Sequence, residues 1–126
     1  MKEKIILGLQ ILVGLMLVLF GANGFLQFMP MPPPSAQMGA WLGAIAQTGY
    51  LFPLIAAIEL VAGLAFVFNK FASLMAIILM PVMLNALLAH IFLNDVAGMG
   101  GALIVVLGTL LVMFKNRQRY SEIFKA

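Results

Sequence analysis

Residues 51–68 read LFPLIAAIELVAGLAFVF, an apolar run that is broken only by Glu59 near its centre. As a helix with a rise of about 1.5 Å per residue, this run would be about 27 Å long, which is close to the hydrocarbon thickness of a bilayer. A carboxylate inside a membrane-length segment costs roughly 2.5–3.5 kcal/mol on insertion scales. The stretch therefore predicts a transmembrane helix, and Glu59 is a candidate functional residue.

The composition of the whole chain agrees with a membrane protein. Hydrophobic residues make up 64% of the sequence and charged residues only 9%, whereas a soluble domain carries about 25% charged residues. The chain has no cysteine, which excludes thiol relays and thiolate metal sites, and its one histidine excludes a haem held by two histidines of this chain. The basic residues lie at the ends and at one inner turn, a pattern typical of membrane topology signals and not of nucleic-acid binding.

Three further apolar runs of similar length occur along the sequence. They predict an all-α membrane protein, a four-transmembrane-helix bundle that forms a single membrane domain over residues 1–126. The predicted spans are residues 5–29, 51–68, 71–93 and 96–114.

A short helix is predicted between the first and second spans. Prolines at positions 30, 32, 33 and 34 end the first helix, and Ser35 is a good N-cap for a segment over residues 35–48. Apolar residues recur at helical spacing in this segment, with Trp41 among them. We expect an interfacial helix on the outer leaflet, and the alternative is an irregular surface loop.

The charges predict an orientation. All seven Lys and Arg residues fall on one side of a four-span protein, and the opposite side carries Asp95. By the positive-inside rule, both termini are expected in the cytoplasm.

Most of the intramembrane polar residues then fall in the outer half of the bilayer, while the inner half holds little beyond Gln10, Ser73 and Thr109. Two interpretations stay open: a structural hydrogen-bond network, or an outward-facing pocket beneath the 35–48 segment in which Glu59 and His90 exchange a proton. The pocket candidates are Asn23, Gln27, Trp41, Glu59, Asn85 and His90.

Other sites have less support. Glu59, His90 and Asp95 have neither the spacing nor the number of ligands of a metal site, so no metal is expected. A haem on His90 with a methionine is also disfavoured.

The basic tail over residues 115–126 is a topology signal first, with anionic lipid as a secondary partner. Glycine stripes on the first and fourth spans favour close packing, within the chain or in a homo-oligomer.

Three stretches, GANGFLQF (21–28), AIELVAGL (57–64) and NALLAHIF (85–92), resemble the DoxX family of small bacterial four-helix membrane proteins. The resemblance covers nearly the whole chain, and Glu59 occupies the position of that family's glutamate. The resemblance implies a four-helix fold in the bacterial cytoplasmic membrane. It also implies a link to quinone-dependent redox chemistry. The family is named for a subunit associated with a terminal quinol oxidase and with thiosulfate:quinone oxidoreduction. It does not assign catalysis to this chain.

Three functions remain open at this stage. The first is an accessory subunit or binding protein that holds a quinone-like lipophile near Glu59 and His90 and passes electrons to a redox partner protein, since the chain itself has no redox cofactor motif. The second is a transporter or channel for protons or small solutes. The third is a membrane scaffold without a small ligand.

Overall fold

A computed structural model describes residues 1–28, 30–31 and 33–125, and the regular structure within them is entirely helical. Four long apolar helices have the length and composition to cross a membrane, and a short helix, α2, lies between the first two. The predicted all-α, four-span architecture is confirmed, and the chain is a multi-pass membrane protein. The helices are α1 (Lys2–Leu26), α2 (Ala36–Gln47), α3 (Leu51–Phe68), α4 (Ala72–Phe92) and α5 (Val96–Lys115).

The main difference from the predicted boundaries is at the end of α1. The helix ends at Leu26 because Gln27 adopts a left-handed conformation (φ 51°) and its N–H donates to the carbonyl of Asn23 at 2.8 Å. This cap closes the helix before the prolines. The predicted helix end at Met29 and the proline at position 32 lie outside the described residues.

The short helix α2 begins as predicted. Ser35 is its N-cap, and the Ser35 hydroxyl accepts a hydrogen bond from the Met38 N–H at 3.1 Å. Met38 is buried, and Trp41 lies half-buried on the same helix face. The alternative of an irregular loop is therefore wrong.

The four long helices form a closed ring with alternating directions. Helix α1 packs against α3 and α5, and α4 packs against the same two helices. Fully buried apolar side chains fill the centre, among them Leu17, Phe66, Leu79 and Val105. Large apolar side chains are also exposed on the outside of every long helix, such as Leu12, Leu74 and Leu107. Surface of this kind requires lipid around it.

Glycines bring α1 and α3 into backbone contact. A Cβ atom on Gly63 would lie 2.7 Å from the carbonyl oxygen of Gly14 and 2.8 Å from the backbone nitrogen of Val18. A Cβ on Gly21 would lie 2.7 Å from the backbone nitrogen of Leu60. Only glycine allows this approach. The α1 glycine stripe thus serves packing within the chain.

The ring has two distinct ends. The end that carries both chain termini, called the terminal side here, contains the start of α1, the α3–α4 turn and the end of α5. All seven Lys and Arg residues lie in these segments or in the tail that follows α5. The other end, called the α2 side, carries α2 and the α4–α5 turn. The fold therefore separates the basic residues from Asp95 by the length of the bundle.

The basic tail folds back on the bundle. After α5, residues Arg117–Tyr120 form a short 3-10 helix, and the Tyr120 side chain is buried. Its hydroxyl donates to the carbonyl of Ser73 at 2.6 Å, which ties the tail to the first turn of α4. The sequence predicts a topology signal and, secondarily, contact with anionic lipid here, and it does not predict this packing of the tail.

Tyr120→Phe is expected to lower the free energy of unfolding by about 1 kcal/mol, because it removes this hydrogen bond and keeps the buried ring. Tyr50→Phe is the matched control, since the Tyr50 side chain is exposed, and it should leave stability unchanged. Denaturant titration of the two variants in the same detergent would measure the difference. Equal stabilities would contradict a role for the Tyr120–Ser73 bond.

Candidate functional site

Three polar residues meet on the α2 side, and they are called the α2-side cluster: Ser35, His90 and Asp95. Oδ2 of the Asp95 carboxylate lies 2.7 Å from Nδ1 of His90. Its other oxygen, Oδ1, accepts the backbone N–H of Ser35 at 3.0 Å. Asp95 is only 6% exposed. One carboxylate therefore joins the end of α4, the start of α5 and the start of α2.

Local backbone geometry places Asp95 beside His90. Asn94 adopts a left-handed conformation (φ 56°), which asparagine tolerates better than most residues. The turn is closed by the N–H of Asp95, which donates to the carbonyl of His90 at 2.8 Å. The reversal of the chain brings the two side chains onto the same side of the turn.

The His90 ring is held in one orientation. A carboxylate can only accept a hydrogen bond, so Nδ1 of His90 carries the hydrogen that Asp95 accepts. The ring also lies against Gly98 of α5, where a Cβ atom would collide with the imidazole. Among the described residues, Nε2 has no hydrogen-bond partner, and the side chain is 18% exposed. His90 can therefore offer Nε2 to a ligand or exchange a proton there.

The presence of Ser, His and Asp in this cluster does not make a nucleophilic triad. The Ser35 hydroxyl donates to the carbonyl of Leu93 at 2.7 Å and accepts the N–H of Met38. It is the backbone of Ser35, not its hydroxyl, that contacts Asp95. A serine nucleophile would instead need its hydroxyl on the histidine. Ser35 secures α2 to the α4–α5 turn.

Glu59 lies apart from this cluster. It shares a face of α3 with the buried residues Ala56, Ala62 and Gly63, and its own side chain is partly buried. From its position along α3, Glu59 is about 9 Å deeper in the bundle than His90, at about 1.5 Å rise per residue. In the described part of the chain, the partner of His90 is Asp95 and no hydrogen bond or ion pair reaches Glu59.

The other predicted pocket residues lie on or at the ends of three helices, α1, α2 and α4. Asn85 is exposed on the outer face of α4, and Gln27 is exposed at the end of α1. Asn23 is partly buried in the last turns of α1, and Trp41 lies half-buried on α2. The described residues contain no group of three His, Asp or Glu side chains close enough to hold a metal ion.

A second polar cluster lies on the terminal side and was not predicted. Gln10 is only 1% exposed, and its Nε2 donates to the carbonyl of Phe66 and to Oδ1 of Asn69, both at 3.0 Å. The ammonium of Lys115 donates to Oε1 of Gln10 at 2.7 Å. This network joins α1, α3 and α5. The signal in the sequence was an amide inside an apolar helix, but its partners lie far away along the chain.

Comparisons with family models, with curated proteins and with solved structures found no match to this chain.

Proposed function

We propose that the chain is a DoxX-like membrane protein, an accessory subunit or binding protein that holds a quinone-like lipophile on the α2 side. The observation that carries the proposal is the 2.7 Å pair between His90 and Asp95, which orients the ring and leaves Nε2 without a protein partner among the described residues. An imidazole held in this way is suited to a hydroxyl or carbonyl oxygen of a ligand.

The arrangement limits how such a ligand would lie. Because Glu59 is about 9 Å deeper than His90 along the bundle, by residue count, the two side chains are placed to contact different atoms of a ligand. They can contact opposite ends of an elongated polar head. Trp41 lies on the face of α2 that also carries buried Met38, so its ring would cover the ligand from the α2 side.

The proposed orientation follows the charges. The terminal side holds all seven Lys and Arg residues and would face the cytoplasm of a bacterium, with both termini there. The α2 side would face outward. Since the chain has no cysteine and no motif for a redox cofactor, electrons from a bound quinol would pass to a partner protein.

A proton or solute path is the second candidate, and the partly buried Glu59 favours it. It has weaker support because fully buried apolar side chains, including Leu17, Ala62 and Phe66, lie between Glu59 and the Gln10 network. Within the described part of one chain, polar groups therefore do not continue from Glu59 to the terminal side.

The binding proposal can be tested through Trp41, the single tryptophan of the chain. A short-chain quinone titrated into the protein in nanodiscs is expected to quench its fluorescence with saturation. His90→Asn keeps an N–H near the position of Nδ1 and removes Nε2, and Glu59→Gln keeps the size of the side chain. Each is expected to weaken binding about tenfold, as for a lost hydrogen bond of about 1–1.5 kcal/mol.

Asn85→Ala is the control, because this exposed side chain lies on the outer face of α4 and should not alter the affinity. Saturable quenching that none of the variants changes would reject the site. Quenching that rises linearly with quinone, as for free diffusion in the bilayer, would favour the scaffold interpretation. Dissipation of a pH gradient in proteoliposomes, lost in Glu59→Gln, would favour the transporter.

A further inference from the structure

A groove on the terminal side combines charge with apolar surface. It has a volume of about 560 Å³ and lies between the first turns of α1 and the end of α5. Its charged lining includes Lys2, Lys115 and Arg117, and its apolar lining includes Ile6, Leu7 and Phe114. The groove is far from the α2-side cluster, at the opposite end of the bundle.

The positive charge of this groove is not neutralised by the protein. Among the described residues, the ion pairs are His90 with Asp95 and Lys125 with Glu122, so none of the three groove cations has a carboxylate partner. Glu3 also lines the groove, and three cations against one carboxylate leave a net charge of +2. An anion is the complementary ligand.

Lys115 is held in place by the buried side chain of Gln10 and by Asn69. Its ammonium donates to Oε1 of Gln10 at 2.7 Å and lies 3.4 Å from Oδ1 of Asn69. Gln10 is itself held by the carbonyl of Phe66. An ammonium has three hydrogens, and these contacts use two of them. The third is available to a ligand, and little side-chain entropy remains to be lost when it binds.

Arg117 is also ordered before any ligand arrives. Its guanidinium lies 4.5 Å from the centroid of the Phe114 ring, and one terminal nitrogen donates to the Phe114 carbonyl at 2.9 Å. The remaining N–H groups can bind two oxygens of a phosphate at once.

The position of the groove indicates the kind of anion. Lys115 is the last residue of a membrane-length helix, so the cations lie at the depth of lipid headgroups. Ile6, Leu7 and Phe114 face the same groove and offer contacts to acyl chains. We propose that this groove is a specific site for an anionic phospholipid, whose phosphate contacts Lys115 and Arg117 and whose chains lie along α1 and α5. The site is independent of the function proposed for the α2 side.

The proposal is tested by native mass spectrometry of the detergent-solubilised protein with added lipid. Retention of phosphatidylglycerol over phosphatidylcholine is expected. Lys2→Gln and Arg117→Gln are each expected to weaken phosphatidylglycerol binding about fivefold, as for one cation near an anionic headgroup. Glu3→Gln removes the single carboxylate of the groove and is expected to tighten binding by a similar factor, an effect that misfolding cannot produce.

Lys125→Gln is the matched control, because it removes the same charge from a lysine outside the groove that is paired with Glu122. The affinity of Lys125→Gln for phosphatidylglycerol should equal that of the unmodified chain. Equal losses in Lys125→Gln and Arg117→Gln would mean diffuse attraction and would overturn the site. Equal retention of the two lipids, or displacement of bound lipid by millimolar glycerol phosphate, would overturn it as well.

Discussion

Gly63→Leu is expected to abolish the close contact between α1 and α3 and to lower the free energy of unfolding by about 3 kcal/mol or more. The first atom of the new side chain would lie 2.7 Å from the Gly14 carbonyl oxygen and 2.8 Å from the Val18 backbone nitrogen. Both obstacles are backbone atoms of a helix, so they cannot move aside as a flexible side chain would. Helices α1 and α3 must separate, and the contacts along their whole length weaken.

Gly8→Leu is the control for this change. Gly8 lies in α1, and a Cβ atom there would have no described atom within 4 Å apart from its chain neighbours and the adjacent backbone of its own helix. The leucine would point into lipid, and replacing a helical glycine favours the helix slightly. Unfolding by SDS in mixed micelles, followed by circular dichroism, should place Gly8→Leu at or above the unmodified chain and Gly63→Leu far below it. Similar unfolding curves for the two variants would show that the α1–α3 contact is not as close as described.

Asp95→Ala is the second change with a large expected effect. It leaves the Nδ1–H of His90 and the N–H of Ser35 without the acceptor that both now share. Both donors are partly buried, and leaving each unpaired costs about 1 kcal/mol or slightly more, so we expect a loss of about 2–3 kcal/mol in the free energy of unfolding. The loss should be largest where α2 meets the bundle, because Asp95 contacts the residue that caps this helix.

Hydrogen exchange would locate the effect. The amides of α2, residues Ala36–Gln47, should exchange faster in Asp95→Ala, while those at the centre of α1 should change little. Gln37→Ala is the control, since it removes an exposed hydrogen bond from Asn94 to the same helix, and it should change stability by less than about 0.5 kcal/mol. Unaltered exchange of α2 in Asp95→Ala would refute the role of the cluster as the anchor of this helix.

The α2-side cluster also shows why the site was only partly predictable. The sequence identifies Glu59 and His90 as costly polar residues in apolar helices, and helix rise gives their approximate depth. The hydrogen-bond partner of His90 is harder to infer from the sequence. It depends on the turn at Asn94, whose left-handed conformation places the Asp95 carboxylate beside the imidazole. The sequence presents Asp95 only as a charge that marks one side of the membrane and as a poor candidate for a metal ligand.

The terminal side is a second example. Gln10, Asn69 and Lys115 are each unremarkable in the sequence: an amide in a helix, a turn residue and a basic residue at a helix end. They form one network because α1, α3 and α5 place their ends together. The sequence of any one helix does not specify that these three side chains form a hydrogen-bond network.

The sequence by itself determined the number of long helices, their approximate ends, the capped helix between the first two and the separation of charge between the two ends of the bundle. These are properties of single segments, because a membrane-length apolar run satisfies its own backbone hydrogen bonds as a helix whatever its neighbours are. The tertiary structure decided which faces of these helices meet, through contacts such as Gly14 with Gly63. Those contacts set the rotation of each helix, and the rotation decides that His90 meets Asp95, that Asn85 faces outward and that Glu59 lies within the bundle.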